Sequence, residues 1–102
     1  MVNSYRGHYF YNRGTIANWK SSAIGVYYCG FITTEGNLKP LYIGSGTSKD
    51  GIRGRLLYHL EKDVWPDATY FGYCLCDTVE EAKKWEEKEI AKYKPKYNKI
   101  GV

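Results

Sequence analysis

Glu86 is the residue of this 102-residue chain whose position first suggests chemistry. The segment from Thr78 to about Tyr93 has a helical pattern, with Thr78 and Glu81 at capping-box spacing and Pro95 as its stop. On a wheel of about 100° per residue, Val79, Ala82, Ile90 and Tyr93 share one apolar side, with Trp85 at its margin. Glu86 falls near the middle of that side. Glu80, Glu81 and Glu87 point away, and Glu89 lies on the edge. A carboxylate within a buried stripe needs a partner. That partner is either a Lys or Arg in a buried ion pair or a metal ion at the floor of a cleft, unless the stripe itself is misplaced.

A second pair lies upstream. Arg55 and His59 are four residues apart in a segment, about Gly51 to Lys62, whose Ile52, Leu56 and Leu60 repeat every four residues. On a helix the two side chains stack on one face beside that apolar stripe. Ser48 or Asp50 is its candidate N-cap.

The remaining elements position these helices. Residues 23–32 are β-branched and aromatic, and read as a strand. Glu35-Gly36-Asn37 is a turn, and Leu41-Tyr42-Ile43-Gly44 returns as the second arm of a hairpin. A Gly/Ser/Thr/Asp loop at 45–51 leads into the Arg55 helix, Trp65-Pro66-Asp67 ends that helix, and Ala68 to Cys76 reads as a third strand. The expected fold is a small α+β domain, a three-stranded antiparallel sheet flanked by helices in the order β-β-α-β-α. It occupies residues 23–102. Residues 1–22 form a basic, aromatic N-terminal extension without clear period, packed on the domain or reaching to a nucleic acid.

Composition narrows the partners. The net charge is +4 and the pI about 8.9, compatible with a polyanion. Residues 1–62 hold Arg6, Arg13, Lys20, Lys39, Lys49, Arg53, Arg55 and Lys62 against three acids, and Lys92, Lys94, Lys96 and Lys99 form a second basic run. The 17% aromatic content includes 11 tyrosines, whose phenols can bond phosphates and whose rings can stack on bases. Three cysteines (Cys29, Cys74 and Cys76) and no leader-like start predict a reducing, cytoplasmic setting, the host's if the chain is phage-encoded. Cys74 and Cys76, with His8 or His59, have no zinc-site spacing. No apolar run approaches the roughly 20 residues of a membrane span.

Taken together, the motifs resemble one family. Gly25-Val26-Tyr27 and Tyr42-Ile43-Gly44 are similar to the paired strand triplets that name the GIY-YIG nucleases, with Val in place of Ile. Arg55 with His59 one turn later resembles the family's catalytic arginine and the residue that follows it. Glu86, and a tail ending Tyr93-Lys94-Pro95-Lys96-Tyr97-Asn98, resemble its glutamate helix and closing motif as found in excision-repair incision subunits. The resemblance covers about residues 23–98.

It implies a metal-dependent endonuclease that nicks or cuts DNA, from a phage or mobile element, with Mg2+ or Mn2+ bound by Glu86. Arg55 would stabilise the transition state, Tyr27 would orient or deprotonate the attacking water, and Tyr42 would bond phosphate or water. His59 would relay a proton or hold the phosphate. Lys49, Arg53 and Asn98 are further substrate-side candidates, Asn98 by bonding backbone near the glutamate helix, and Gly25 and Gly44 allow close backbone approach. A monomer with one site would nick, and a homodimer would cut both strands. A catalytically silent nucleic-acid-binding module, or a repair nuclease subunit directed by a partner, is the alternative.

Overall fold

The computed structural model describes residues 2–19, 23–47, 49–62 and 65–99. Ser48, one of the two N-cap candidates, and the last residues of the tail lie outside them. The elements run β1 (Arg6–Phe10), α1 (Arg13–Ala17), β2 (Gly25–Ile32), β3 (Leu38–Gly46), α2 (Gly51–Lys62), β4 (Tyr70–Leu75) and α3 (Val79–Tyr93), closed by a 3-10 turn at Lys96–Lys99. The fold is α+β, as expected. The sheet has four strands rather than three, in the order β1-β4-β2-β3, and each neighbouring pair is antiparallel.

The additional strand comes from the N-terminal extension. β1 is exposed at all five positions, so the sequence carries no buried/exposed alternation to betray it. Its pairing with β4 rests instead on backbone hydrogen bonds and cross-strand aromatics. Tyr9 stacks on Tyr73 at 5.9 Å and Phe10 on Tyr70 at 5.2 Å. Asn12 caps α1 by accepting from the Thr15 N–H at 2.8 Å.

The hairpin follows the sequence closely. Gly36, at φ +86°, makes the turn that a side chain would strain, and the Thr33 and Asn37 backbones close it at 2.8 Å. β2 is central and buried from Gly25 to Gly30, with its alternation dividing the molecule into two cores. Tyr27 and Cys29 face Ile16, Ile52, Leu56, Trp65 and Phe71, under α1 and α2. Val26 and Tyr28 face Ile43, Cys74, Cys76 and Ala82, under α3. The sheet therefore lies between two helical layers. The three cysteines are free and buried.

α3 begins as its capping box requires: Thr78 is extended, and its hydroxyl accepts from the Glu81 N–H at 3.1 Å. Lys94 ends it in the left-handed conformation, ahead of Pro95. Its buried line differs from the one drawn on the wheel. Val79 and Tyr93 are each 44% exposed, and the line runs through Ala82 to Glu89, with Trp85, Glu86 and Ile90 half-buried. Apolar periodicity gives a carboxylate no weight in the core, so the helix that buries Glu89 is turned by roughly 50° from the apolar stripe, half the step between successive residues. No helix among the described residues is long and apolar enough to cross a membrane.

Candidate active site at the edge of the sheet

β3 is an edge strand, and the two faces of the sheet meet around it. A pocket of about 340 Å³ wraps this edge, lined by Tyr27, Tyr42, Ser45, Thr47, Arg55, Lys83 and Glu86. Tyr27 and Tyr42 belong to the α2 side of the sheet. Ser45 pairs with Val26, so it belongs to the α3 side, where its hydroxyl donates to Glu86 Oε1 at 2.8 Å. Gly44 permits the junction, because a Cβ there would stand 2.6 Å from the Tyr27 hydroxyl oxygen and 2.9 Å from Tyr42 Cε2.

Such an overlap cannot be relieved without moving the buried Tyr27 ring. Gly44→Ala is expected to lower stability by about 1–3 kcal/mol, the usual cost of overpacking. It should also cut any phosphodiester hydrolysis at least tenfold. Urea denaturation and a nicking assay check both, and wild-type behaviour in both would contradict the packing described.

The four residues singled out in the motifs, Tyr27, Tyr42, Arg55 and Glu86, thus come together from four different elements. Three lining residues were not singled out: Ser45, Thr47 and Lys83. Lys83 could have been found, since it precedes Glu86 by three residues and shares its helix face. Ser45 follows the second triplet directly and belongs to β3 rather than to the polar loop expected from residue 45.

Other candidates lie elsewhere. Arg53 donates to the Ala17 carbonyl at 3.1 Å and ties α2 to α1. Lys49 is exposed and does not line the pocket. Gly25 sits where a Cβ would be 2.3 Å from the Cys74 carbonyl, a contact between strands rather than with the pocket. Asn98 bonds the backbone of β3 at Ile43, a residue packed under α3 and next to Tyr42. Its Oδ1 accepts from the Ile43 N–H and its Nδ2 donates to the Ile43 carbonyl, both at 2.8 Å. One side-chain amide so takes the place of a neighbouring strand along β3 and anchors the tail to it.

The electrostatics set what each group can do. Burial pushes the Tyr27 phenol well above its usual range, Tyr42 and Cys29 add to this, and Arg55 opposes it. Tyr42 is also raised, by burial and then by the Glu86 carboxylate. Both phenols are therefore neutral at pH 7. Arg55 and Lys83 bring two positive charges against the one carboxylate of Glu86, and neither has a carboxylate partner among the described residues. The balance leaves room for an anion such as phosphate.

His59 stands behind this group. It packs on Trp65 at 4.3 Å, and its Nε2 faces Arg55 Nη2 at 3.3 Å. Since guanidinium only donates, Nε2 is the acceptor and Nδ1 carries the proton. Burial, then the Arg55 charge, lowers its pKa from 6.5 to about 4. The unfolded chain thus binds a proton between pH 6.5 and 4 that the folded chain refuses, and stability falls as pH drops through that window. Because the ring is only about half-buried, the loss by pH 4 should be on the order of 1–2 kcal/mol after allowance for screening. Urea midpoints of wild type and His59→Gln at pH 7 and pH 4.5 measure it. Equal acid loss in both proteins would remove His59 as the cause.

The donor set suits some metals and not others. Glu86 Oε1 is engaged by Ser45, while Oε2 has no hydrogen-bond partner among the described residues. A hard divalent cation that takes one carboxylate and completes its shell with water and phosphate fits this arrangement. A zinc-type set does not fit, since no group of three or more His, Cys, Asp or Glu side chains converges among the described residues.

Comparison of the chain with protein-family models, with curated proteins and with solved structures finds no match.

Proposed function

We propose that this chain is a metal-dependent endonuclease that hydrolyses DNA phosphodiester bonds, similar in its chemistry to the GIY-YIG nucleases. The observation that carries the reading is the convergence of Tyr27, Tyr42, Arg55 and Glu86, from four elements, in one polar pocket with net positive charge. A divalent ion such as Mg2+ or Mn2+, held through Glu86, would supply Lewis-acid stabilisation of the leaving oxygen. The protein's own groups do the rest. Arg55, steadied by His59, meets the charge that develops on the phosphate. Lys83 adds a second cation at the same mouth. Tyr27, kept neutral by burial, positions the attacking water through hydrogen bonds, and Tyr42 holds a phosphate oxygen.

The test is incubation with supercoiled plasmid in Mg2+, in Mn2+ and in EDTA, beside a Glu86→Ala/Arg55→Ala double variant prepared identically to exclude a contaminating nuclease. Nicked or linear product from wild type alone, abolished by EDTA, is the expected result. Retained DNA binding without cleavage of plasmid, single strands or branched DNA would replace the proposal by a binding module.

A further inference from the structure

A second, larger cavity lies on the α3 face of the sheet, on the side of β2 that Tyr28 faces. It measures about 930 Å³, within the range of small-molecule sites. Its lining includes the aromatic rings of Tyr5, Tyr28, Trp85 and Tyr93, and the carboxylate of Glu89. Glu89 is the one buried charged side chain among the described residues, at 7% exposure. It makes no ion pair there. Its one hydrogen bond among the described residues comes from a neutral donor, the Tyr28 hydroxyl, at 2.6 Å to Oε1. Trp85 Nε1 in turn donates to Tyr28 at 3.0 Å, so the phenol is oriented to give its proton to Glu89. Oε2 has no donor among the described residues, and Glu89 lines the open cavity.

The aromatic wall is fixed. The Tyr5 hydroxyl donates to His8 Nδ1 at 3.0 Å, and His8 Nε2 donates to the Gly36 carbonyl at 3.2 Å, which ties the N-terminal segment to the hairpin turn. Tyr5 meets Tyr28 edge-on at 5.5 Å. Two lysines stand beside that wall: the Lys88 ammonium lies 5.2 Å from the Trp85 ring centre, and that of Lys92 5.0 Å from the Tyr93 ring centre.

We infer that this cavity binds a guanine nucleotide, with the base between the aromatic side chains and its N1–H and 2-amino group donated to Glu89. A buried carboxylate only accepts, so the ligand must present donors. Among the common bases, guanine alone offers two adjacent N–H donors with no acceptor between them. Adenine, cytosine and uracil each place an acceptor beside their donor. Stacking against rings, combined with hydrogen bonds to the Watson–Crick edge, is how single nucleotides are generally held. Lys88 and Lys92, which stand near the wall without lining the cavity, favour a nucleotide over a plain organic cation: their charges repel a quaternary ammonium and attract a phosphate. The cavity is distinct from the Glu86 pocket and shares no lining residue with it. A guanine there could be a free nucleotide or an unstacked residue of a single strand.

Guanosine 5′-monophosphate has no phosphodiester to a second nucleoside, so its binding is read independently of cleavage. Calorimetry with this nucleotide, together with the Trp85 indole N–H resonance by NMR, should show binding at least tenfold tighter than for the adenosine, cytidine and uridine monophosphates. Inosine monophosphate, which lacks the 2-amino group, should bind several-fold more weakly than the guanine nucleotide. Glu89→Gln presents an amide donor to those N–H groups and should cost at least tenfold, with folding checked by its melting curve. If that variant does not fold, the exposed Tyr93→Ala reports instead, by weakening the guanine nucleotide. Lys92→Ala should weaken the monophosphate but not guanosine. A short guanine-containing single strand, binding with the same Glu89 dependence, would identify the polymer as the source. Equal affinity for all four monophosphates, tetramethylammonium bound in preference to any of them, or no binding at about 5 mM, weaker than a millimolar interaction, would each overturn the proposal.

Discussion

Glu86→Gln is expected to lower the rate of plasmid nicking by at least about 100-fold while leaving the melting temperature close to wild type. The substitution is isosteric. A glutamine oxygen can still accept from Ser45, so the link between α3 and β3 survives. The charge is lost, and with it the one carboxylate that lines the pocket. Removing a negative charge from beside a bound phosphate does not weaken ground-state binding, so affinity for DNA should stay equal or rise. The loss then falls on the chemical step, the signature of a group that acts chiefly in the transition state. Single-turnover nicking at saturating enzyme, with DNA affinity measured in parallel, separates the two. A rate within about threefold of wild type would remove Glu86 from the reaction, whatever the fate of the other residues.

What could be read from the sequence followed the physics of each element. The β2–β3 hairpin was legible because its strands are β-branched and aromatic and Gly36 marks the turn. α2 was legible from Ile52, Leu56 and Leu60, the first two fully buried. β1 was not, because an exposed edge strand held by backbone bonds and stacked rings leaves no periodic trace. α3 is the instructive case. Its ends were legible from Thr78, Glu81 and Pro95, but its inward face was not. Apolar periodicity treats a carboxylate as surface, whereas here Glu89 is buried and Glu86 is half-buried at the sheet edge. Glu86 was recognised as anomalous on a misplaced stripe, and the deeper carboxylate was set at the margin. Its partner, Tyr28, is 61 residues away, and no local pattern encodes that contact.

The two carboxylates of α3 divide the labour of one helix. Residues three apart lie about 300° apart around the axis, so Glu86 and Glu89 point to neighbouring but separate environments. Glu86 meets a serine at a polar edge beside Arg55 and Lys83. Glu89 meets a phenol in an aromatic cavity without an ion-pair partner among the described residues. The ligands proposed for the same side chain differ accordingly, a hard cation in one place and neutral N–H donors in the other. Seating α3 on the sheet therefore fixes both sites at once, and a change that tilts the helix should disturb both.

The contact that does most to fix that seating is the Trp85–Tyr28–Glu89 chain, and Tyr28→Phe is expected to cost about 3 kcal/mol. Tyr28 is 4% exposed, and its phenol is raised by burial first and by the bond to Glu89 next, so it is a neutral, oriented donor. Its oxygen both accepts from Trp85 and donates to Glu89. Phenylalanine fills the same volume but withdraws both bonds. It leaves a buried carboxylate with no donor, a far larger penalty than the net value of an ordinary hydrogen bond. For a domain of this size, the loss corresponds to a fall of roughly 12–24 °C in the melting temperature. Much of it should vanish when Glu89 is leucine, because the group that needs the donor has gone. The cycle of Tyr28→Phe, Glu89→Leu and the double variant should give a coupling of about 1–3 kcal/mol. A Tyr28→Phe protein within about 0.5 kcal/mol of wild type, the ordinary spread for a surface change, would mean that the chain of three does not hold α3 in place.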